Sequence, residues 1–92
     1  MPKLFDCFGY IIFFWSNENN EPIHVHVCKG NPNANTTKIW ITKNGDCILA
    51  NNNSKIPDKD LRRICKSIQY NFFYIIQKWK ERFGDDSLKF YC

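Results

Sequence analysis

The sequence has 92 residues, of which 43% are hydrophobic and 16% aromatic, and a net charge of +4. A chain of this length forms one domain, residues 1–92, and its three Trp, four Tyr and eight Phe residues can supply a core without a metal or a disulfide. The longest apolar run, residues 10–15, is too short to cross a bilayer, which argues against a membrane protein.

The five cysteines form no Cys-x-x-Cys pair and show no recurrent spacing; they are Cys7, Cys28, Cys47, Cys65 and Cys92. The N-terminal residues do not have the pattern of a signal peptide. We therefore expect reduced thiols and a cytoplasmic protein.

Residues 8–15 are β-branched and aromatic, without a helical period. This composition predicts a central strand that is buried on both faces. A polar loop, residues 16–22, follows, and Pro22 favours extended backbone at the start of the next strand. We expect the two strands to pair antiparallel.

That next strand has the sequence Ile-His-Val-His-Val-Cys over residues 23–28. Successive side chains of a strand point to opposite faces, so the apolar side chains share the core face and the others share the opposite face. The opposite face would carry His24, His26 and Cys28, the first two being the only histidines of the chain.

Residues 37–42 alternate between apolar and polar side chains and lead into Asn44 and Gly45. These two residues predict a two-residue type I′ turn, in which both positions need a positive φ. The resulting hairpin register pairs Ile41 with Ile48, which keeps apolar partners together.

A helix is predicted to begin at Pro57 and to end at Gly84, with a kink near residues 69–71 because of its length. One apolar stripe is expected to pack on the sheet: Leu61, Ile64, Cys65, Ile68, Phe72, Ile75, Ile76, Trp79 and Phe83.

The predicted fold class is α+β, an antiparallel sheet of about four strands with one long C-terminal helix packed on one face. The opposite face would carry the two histidines with Lys38 and Trp40, either exposed to solvent or in an interface. Trp40 itself would be a stacking platform or part of a dimer interface.

The sequence resembles the small prokaryotic proteins of the family known as domain of unknown function 4160. The segments that carry the resemblance are Met1-Pro2, Phe8-Gly9-Tyr10, Phe14-Trp15-Ser16-Asn17-Glu18, Glu21-Pro22-Ile23-His24-Val25-His26-Val27, Leu61-Arg62-Arg63-Ile64, Asn71, Trp79 and Phe83. The resemblance implies an uncharacterised single-domain protein, often encoded beside another small protein in arrangements like toxin–antitoxin pairs. It brings no established catalytic residues.

The chain departs from the usual pattern of that family in its cysteine content and in a tail, residues 85–92, that continues past the typical end. These departures leave room for a specialised role, such as a phage-borne or mobile-element inhibitor.

Two imidazoles on one strand face lie roughly 7 Å apart at Cβ, which suits a general base and a general acid for RNA cleavage by a 2′ hydroxyl. The catalytic set would be His24, His26 and Glu21. Alternatively, the histidines bind a divalent metal, with Glu21 or Cys28 completing a site that two ligands leave incomplete. Cys28 could also act as a nucleophile beside His26. The remaining alternative is that both histidines bond to neighbours or meet a partner.

The basic charge lies in one region, because residues 55–83 carry eight Lys and Arg against three Asp and Glu, a net charge of +5. The candidate nucleic-acid-binding residues are Lys59, Arg62, Arg63, Lys66, Tyr70 and Tyr74, with Lys55 beside them. Cations neutralise phosphates and exposed aromatic rings stack on bases. The alternative is an ordinary solvated helix face.

These observations predict a toxin–antitoxin-like or mobile-element protein that binds or cleaves RNA, with the face of His24 and His26 as the site. No cofactor is certain, and a divalent metal is the candidate. The alternative is a non-enzymatic protein-interaction module, an antitoxin-like protein or a phage-borne inhibitor of a host defence protein. The expected partners are RNA or a protein, with a homodimer as a further candidate.

Overall fold

A computed structural model of the chain describes residues 3–15, 20–30 and 32–92. Met1, Pro2 and residues 16–19 of the predicted loop lie outside the described residues. In the described residues the strands are β1 (Lys3–Cys7), β2 (Tyr10–Phe13), β3 (His24–Lys29), β4 (Thr37–Ile41) and β5 (Cys47–Asn52). They are followed by helices α1 (Asp58–Tyr70) and α2 (Phe72–Phe83) and by a short 3₁₀ turn, Asp85–Ser87.

The strands form one antiparallel sheet in the order β1-β2-β3-β4-β5, so each strand pairs with its neighbours in sequence. The α+β class and the antiparallel sheet are as predicted, but the described residues contain five strands rather than about four and two helices rather than one. Among these residues no helix is both long and apolar enough to cross a membrane.

The additional strand is β1, which pairs with β2 through a tight turn at Phe8 and Gly9. Both turn residues have positive φ, 53° and 83°, as a type I′ turn requires. The predicted strand over residues 8–15 is therefore too long, because Phe8 and Gly9 form the turn and β2 is Tyr10–Phe13.

The β4–β5 hairpin has a different register from the predicted one. Ile41 pairs with Cys47, and Trp40 rather than Ile41 pairs with Ile48. The Gly45 N–H donates to the Thr42 carbonyl at 3.0 Å, and Gly45 has φ of 87°. This is a three-residue loop, a type I turn followed by a left-handed glycine, so the predicted two-residue turn is wrong.

The helical region is divided at Asn71, within the segment where a kink was expected. The Asn71 N–H is shared between the carbonyls of Ser67 and Ile68, at 3.0 and 3.1 Å. The Asn71 side-chain amide also donates to the Ser67 carbonyl at 2.8 Å. The side chain thus gives the Ser67 carbonyl a second hydrogen bond at the end of α1, where the direction of the backbone changes.

One apolar cluster joins the sheet to both helices. Its buried members from the helices are Ile64, Ile68, Ile75 and Trp79, and those from the sheet and its adjoining residues include Ile12, Phe14, Ile23, Val25, Val27, Ile39 and Ile41. The apolar face of the histidine strand therefore faces the core, as alternation predicts.

Candidate functional site

The His24 side chain is fully buried, with 0% of its surface exposed. Its Nδ1 donates to the Pro22 carbonyl at 2.8 Å, which places a proton on that nitrogen. The imidazole meets Trp40 and Trp79 edge to face, at centroid distances of 5.3 and 5.5 Å. His24 therefore lies inside an aromatic cluster that extends from the sheet to α2.

His26 is also buried, and its ring lies 5.1 Å from that of His24. Its Nδ1 is 3.0 Å from the hydroxyl oxygen of Thr36. The ring of Phe13, on the neighbouring strand, lies 5.8 Å away. The sequence correctly places the two histidines together, but both lie in the interior rather than at a surface.

The residues 88–92, termed here the C-terminal segment, pack beside this aromatic cluster. The Lys89 carbonyl accepts the Ile23 N–H at 2.8 Å, and the Cys92 carbonyl accepts the Lys43 N–H at 3.1 Å. Tyr91 stacks flat on Trp40, with ring centroids 5.0 Å apart. The expectation that this face is exposed to solvent is therefore wrong for the two histidines, whereas Lys38 and Trp40 are half-buried. A role of Trp40 in an interface stays a prediction.

Glu21 and Cys28, the two other residues predicted to act with the histidines, are an ion-pair partner and a buried thiol. Glu21 accepts a hydrogen bond from Lys38 Nζ at 2.7 Å, a half-buried ion pair. Cys28 is buried, and this burial raises the pKa of its thiol, which is the wrong direction for a nucleophile. Within the described parts of the chain, no three His, Cys, Asp or Glu side chains converge as metal ligands.

The second predicted site lies on the outer side of α1. We define the basic stripe as Lys59, Arg62, Arg63 and Lys66, four exposed side chains that recur at helical spacing. Tyr70 extends the stripe by one turn and is 90% exposed. These predicted residues do lie together on one surface.

Next to the basic stripe, Phe8 projects from the β1–β2 turn and is 61% exposed. The Arg63 guanidinium carbon lies 4.9 Å from the centre of the Phe8 ring, a cation–π contact. A shallow hollow is lined by Phe8, Arg63, Lys66, Ser67, Tyr70 and Asn71. The surface thus combines positive charge with two exposed aromatic rings.

Tyr74 does not line this hollow. Its hydroxyl donates to the Leu4 carbonyl at 3.3 Å, and its ring borders a different depression, with Lys3, Lys78 and Arg82. The break at Asn71 separates Tyr74 from α1, which a single continuous helix would not have done.

A family model described as Domain of unknown function (DUF4160) matches residues 9–80. The chain belongs to this family. No curated protein and no solved structure gives a significant match. The residues matched to the DUF4160 family include both histidines and the basic stripe, whereas the C-terminal segment lies after them.

The sequence did not predict the roles of Phe8, which lines the hollow beside the basic stripe, and of Tyr91, which stacks on Trp40. For Phe8 a signal was present, because the adjacent Gly9 interrupts the strand pattern and glycine commonly marks a turn. For Tyr91 there was none, since nothing in its local sequence indicates that it meets Trp40.

Proposed function

We propose that this DUF4160 protein binds single-stranded RNA on the outer surface of α1, through the basic stripe, Tyr70 and Phe8. The proposal includes a toxin–antitoxin-like or mobile-element role, which the family resemblance suggests. Its strongest support is Phe8, a bulky residue with φ of 53° and a 61% exposed ring. Backbone strain clusters at functional sites. A strained residue that exposes an apolar ring beside Arg63 therefore supports a binding role for that ring.

The chemistry of the hollow suits an unpaired strand of RNA. Arg63 and Lys66 can neutralise successive phosphates, while the rings of Phe8 and Tyr70 can stack on bases that a duplex would keep paired. Stacking of one base on an aromatic ring contributes about 1–3 kcal/mol. The hollow is open and shallow, which favours tolerance of sequence over recognition of one base.

Cleavage of RNA by His24 and His26 remains part of the proposal only as a reaction that requires a rearrangement of the protein. A catalytic imidazole must reach the scissile phosphate or its 2′ hydroxyl. Since His24 is fully buried, RNA would touch it only after the C-terminal segment or a neighbouring aromatic ring moved away. The outer surface of α1 needs no such rearrangement, so binding is the function that the geometry favours.

The test is fluorescence anisotropy with a labelled single-stranded RNA of about a dozen nucleotides and the matching duplex, at several salt concentrations. We expect the double variant Arg63→Ala, Lys66→Ala to weaken single-strand binding at least tenfold. Its log–log salt slope should be shallower by about 1.4, two phosphates at about 0.7 each. Lys43→Ala, which removes an exposed lysine of the β4–β5 loop, is the matched control.

Failure of the wild-type protein to bind the RNA at low salt would overturn the proposal, as would equal weakening by Lys43→Ala. The same reactions, run on a denaturing gel, report cleavage.

The competing function is a protein-interaction module, and one observation favours it. Phe73, at the start of α2, is 82% exposed and borders a depression beside the β4–β5 loop. Exposed aromatic residues of this kind commonly mark protein interfaces. If Phe73→Ala abolishes capture of a co-encoded partner protein and leaves RNA binding unchanged, the interaction module is the better assignment.

A further inference from the structure

Two of the five thiols meet between the sheet and α1. Cys47 is the first residue of β5, and its Sγ donates to the carbonyl oxygen of Cys65 at 3.7 Å. Cys47 thus lies directly against Cys65, and the interaction of the two thiols shifts the pKa of each. Both side chains are half-buried, whereas Cys7 and Cys28 are buried. Cys47 and Cys65 are therefore neighbours across the boundary between the sheet and α1, and neither is an isolated cysteine.

The surroundings of Cys65 favour its thiolate. Cys65 lines an open groove on α1 together with Arg62, Arg63 and Lys66, so the local charge is positive. When the single Cys47 S–H proton points to the Cys65 sulfur instead of the Cys65 carbonyl, that hydrogen bond lowers the pKa of Cys65 to about 7, while the same contact and burial raise the pKa of Cys47. The position of Cys65 in an open groove beside three cationic side chains, together with the direction of these shifts, favours Cys65 over Cys47 as the reactive thiol.

We propose that Cys65 is a peroxide-reactive thiol and that Cys47 resolves it, giving a disulfide that ties β5 to α1. The inference concerns the two cysteines alone and does not depend on RNA binding. A disulfide requires an S–S distance of about 2 Å, so the two side chains must rotate towards each other before the bond forms.

The chemistry balances with hydrogen peroxide as the oxidant. The Cys65 thiolate attacks one peroxide oxygen, the O–O bond breaks, and the hydroxide that leaves takes up a proton to become water. The Cys47 sulfur then attacks the Cys65 sulfenic acid, the S–S bond forms, the S–O bond breaks, and a second water leaves. Two thiols thus give up two electrons and two hydrogens, and one peroxide is reduced to two waters.

The disulfide would close the chain between β5 and α1, across the linker that contains residues 53–57. Restricting this loop in the unfolded chain is expected to raise the melting temperature by several degrees. A dithiol–disulfide pair is reversible, because a reducing thiol can restore both cysteines, as expected of a redox-sensing site.

The experiment uses the full-length reduced protein in a Cys92→Ser background, which removes the exposed thiol. The protein is treated with stoichiometric hydrogen peroxide, alkylated without reductant and mapped by mass spectrometry. We expect a loss of two hydrogens and a linked peptide pair containing Cys47 and Cys65. In Cys47→Ser the Cys65 sulfenic acid should persist and react with dimedone, and in Cys65→Ser neither product should form.

Two results would overturn the inference. One is oxidation of Cys7 or Cys28 as fast as Cys65 in the folded protein. The other is oxidation of Cys65 in the Cys92→Ser protein without a link to Cys47. A sample unfolded in urea, in which all four remaining thiols are equivalent, shows that the selectivity comes from the fold.

Discussion

Tyr91 lies flat on Trp40, with the two ring planes 2° apart, although both helices lie between these residues in the sequence. On the same indole, Lys38 Nζ lies 4.3 Å from the ring centre. Stacked aromatic pairs contribute about 0.5–1.5 kcal/mol beyond the area that they bury. The pair therefore holds the C-terminal segment against the aromatic cluster that contains His24.

Substitution of Tyr91 should loosen this segment. Tyr91→Ala is expected to lower the free energy of unfolding by about 1 kcal/mol and to increase acrylamide quenching of tryptophan, because Trp40 loses its cover. Tyr91→Phe, which keeps the ring, should leave both quantities nearly unchanged. Tyr70→Ala is the control, since Tyr70 is 90% exposed. Equal effects of Tyr91→Ala and Tyr70→Ala in urea unfolding would contradict the stacking.

Removal of the His24 ring should destabilise the protein. His24→Ala deletes a fully buried side chain that contacts three aromatic rings and bonds to the Pro22 carbonyl, so we expect a loss of about 2–4 kcal/mol. Lys59→Ala, at an exposed position of α1, should change stability by less than about 0.5 kcal/mol. Urea unfolding at neutral pH provides the measurement. A His24→Ala protein as stable as the wild type would show that the ring is not packed as described.

Phe8 offers a test of strain against function. Asparagine tolerates positive φ far better than phenylalanine, so Phe8→Asn is expected to increase the free energy of unfolding by about 0.5–1 kcal/mol, while RNA binding weakens. Phe8→Leu keeps the strain and removes the aromatic ring, and it separates the two effects. If Phe8→Asn destabilises the fold, Phe8 is retained for packing and the argument from strain fails.

The β4–β5 loop can be checked with two alanine substitutions. Gly45→Ala should cost about 1 kcal/mol, because Gly45 has φ of 87°. The added methyl group would meet the Phe72 ring at an ordinary 3.6 Å, so the cost is that of the backbone. Asn44→Ala should be nearly neutral in thermal unfolding. A comparable cost at both positions would indicate the two-residue type I′ turn instead.

The reactivity of Cys65 should depend on pH in a specified direction. In a Cys92→Ser background, its alkylation rate is expected to rise as the pH increases through about 7, because the thiolate is the reactive form. Cys47→Ala removes the hydrogen bond that lowers this pKa, so the midpoint should move upward. Iodoacetamide labelling followed by peptide mapping gives the profile. An unchanged midpoint in Cys47→Ala would mean that Cys47 does not act on Cys65.

Local sequence patterns predict most of the fold. The spacing of Ile64, Ile68, Ile75 and Trp79 predicted the buried side of the helices, and alternation predicted that Val25 and Val27 face the core. The errors have local causes. The type I′ turn lies at Phe8-Gly9 and not at Asn44-Gly45, where the sequence predicts it. Asn44-Gly45 matches the preferred residues of such a turn, whereas Phe8 adopts positive φ against its own preference. A strand that includes Phe8 leaves no turn between residues 3–7 and β2. The sequence therefore does not predict β1.

The candidate sites show the limit of such reasoning. Exposure of the basic stripe followed from helical periodicity, a property of neighbouring residues. Burial of His24 could not be predicted in this way, since alternation gives the face of a side chain but not what covers it. The cover includes Trp79 of α2, whose contact with His24 joins residues far apart in the sequence. The pairing of Cys47 with Cys65 is equally non-local.

The C-terminal segment also has a consequence for the order of folding. Each strand of this sheet pairs with its sequence neighbours, so the sheet can assemble from short-range contacts. The amides of Ile23 and Lys43, in contrast, bond to the carbonyls of Lys89 and Cys92, which lie far along the chain. The sheet and the helices can therefore form before the C-terminal segment docks, while the amides of Ile23 and Lys43 still bond to water. Protection of the Ile23 and Lys43 amides from hydrogen exchange is the expected sign that the segment has docked.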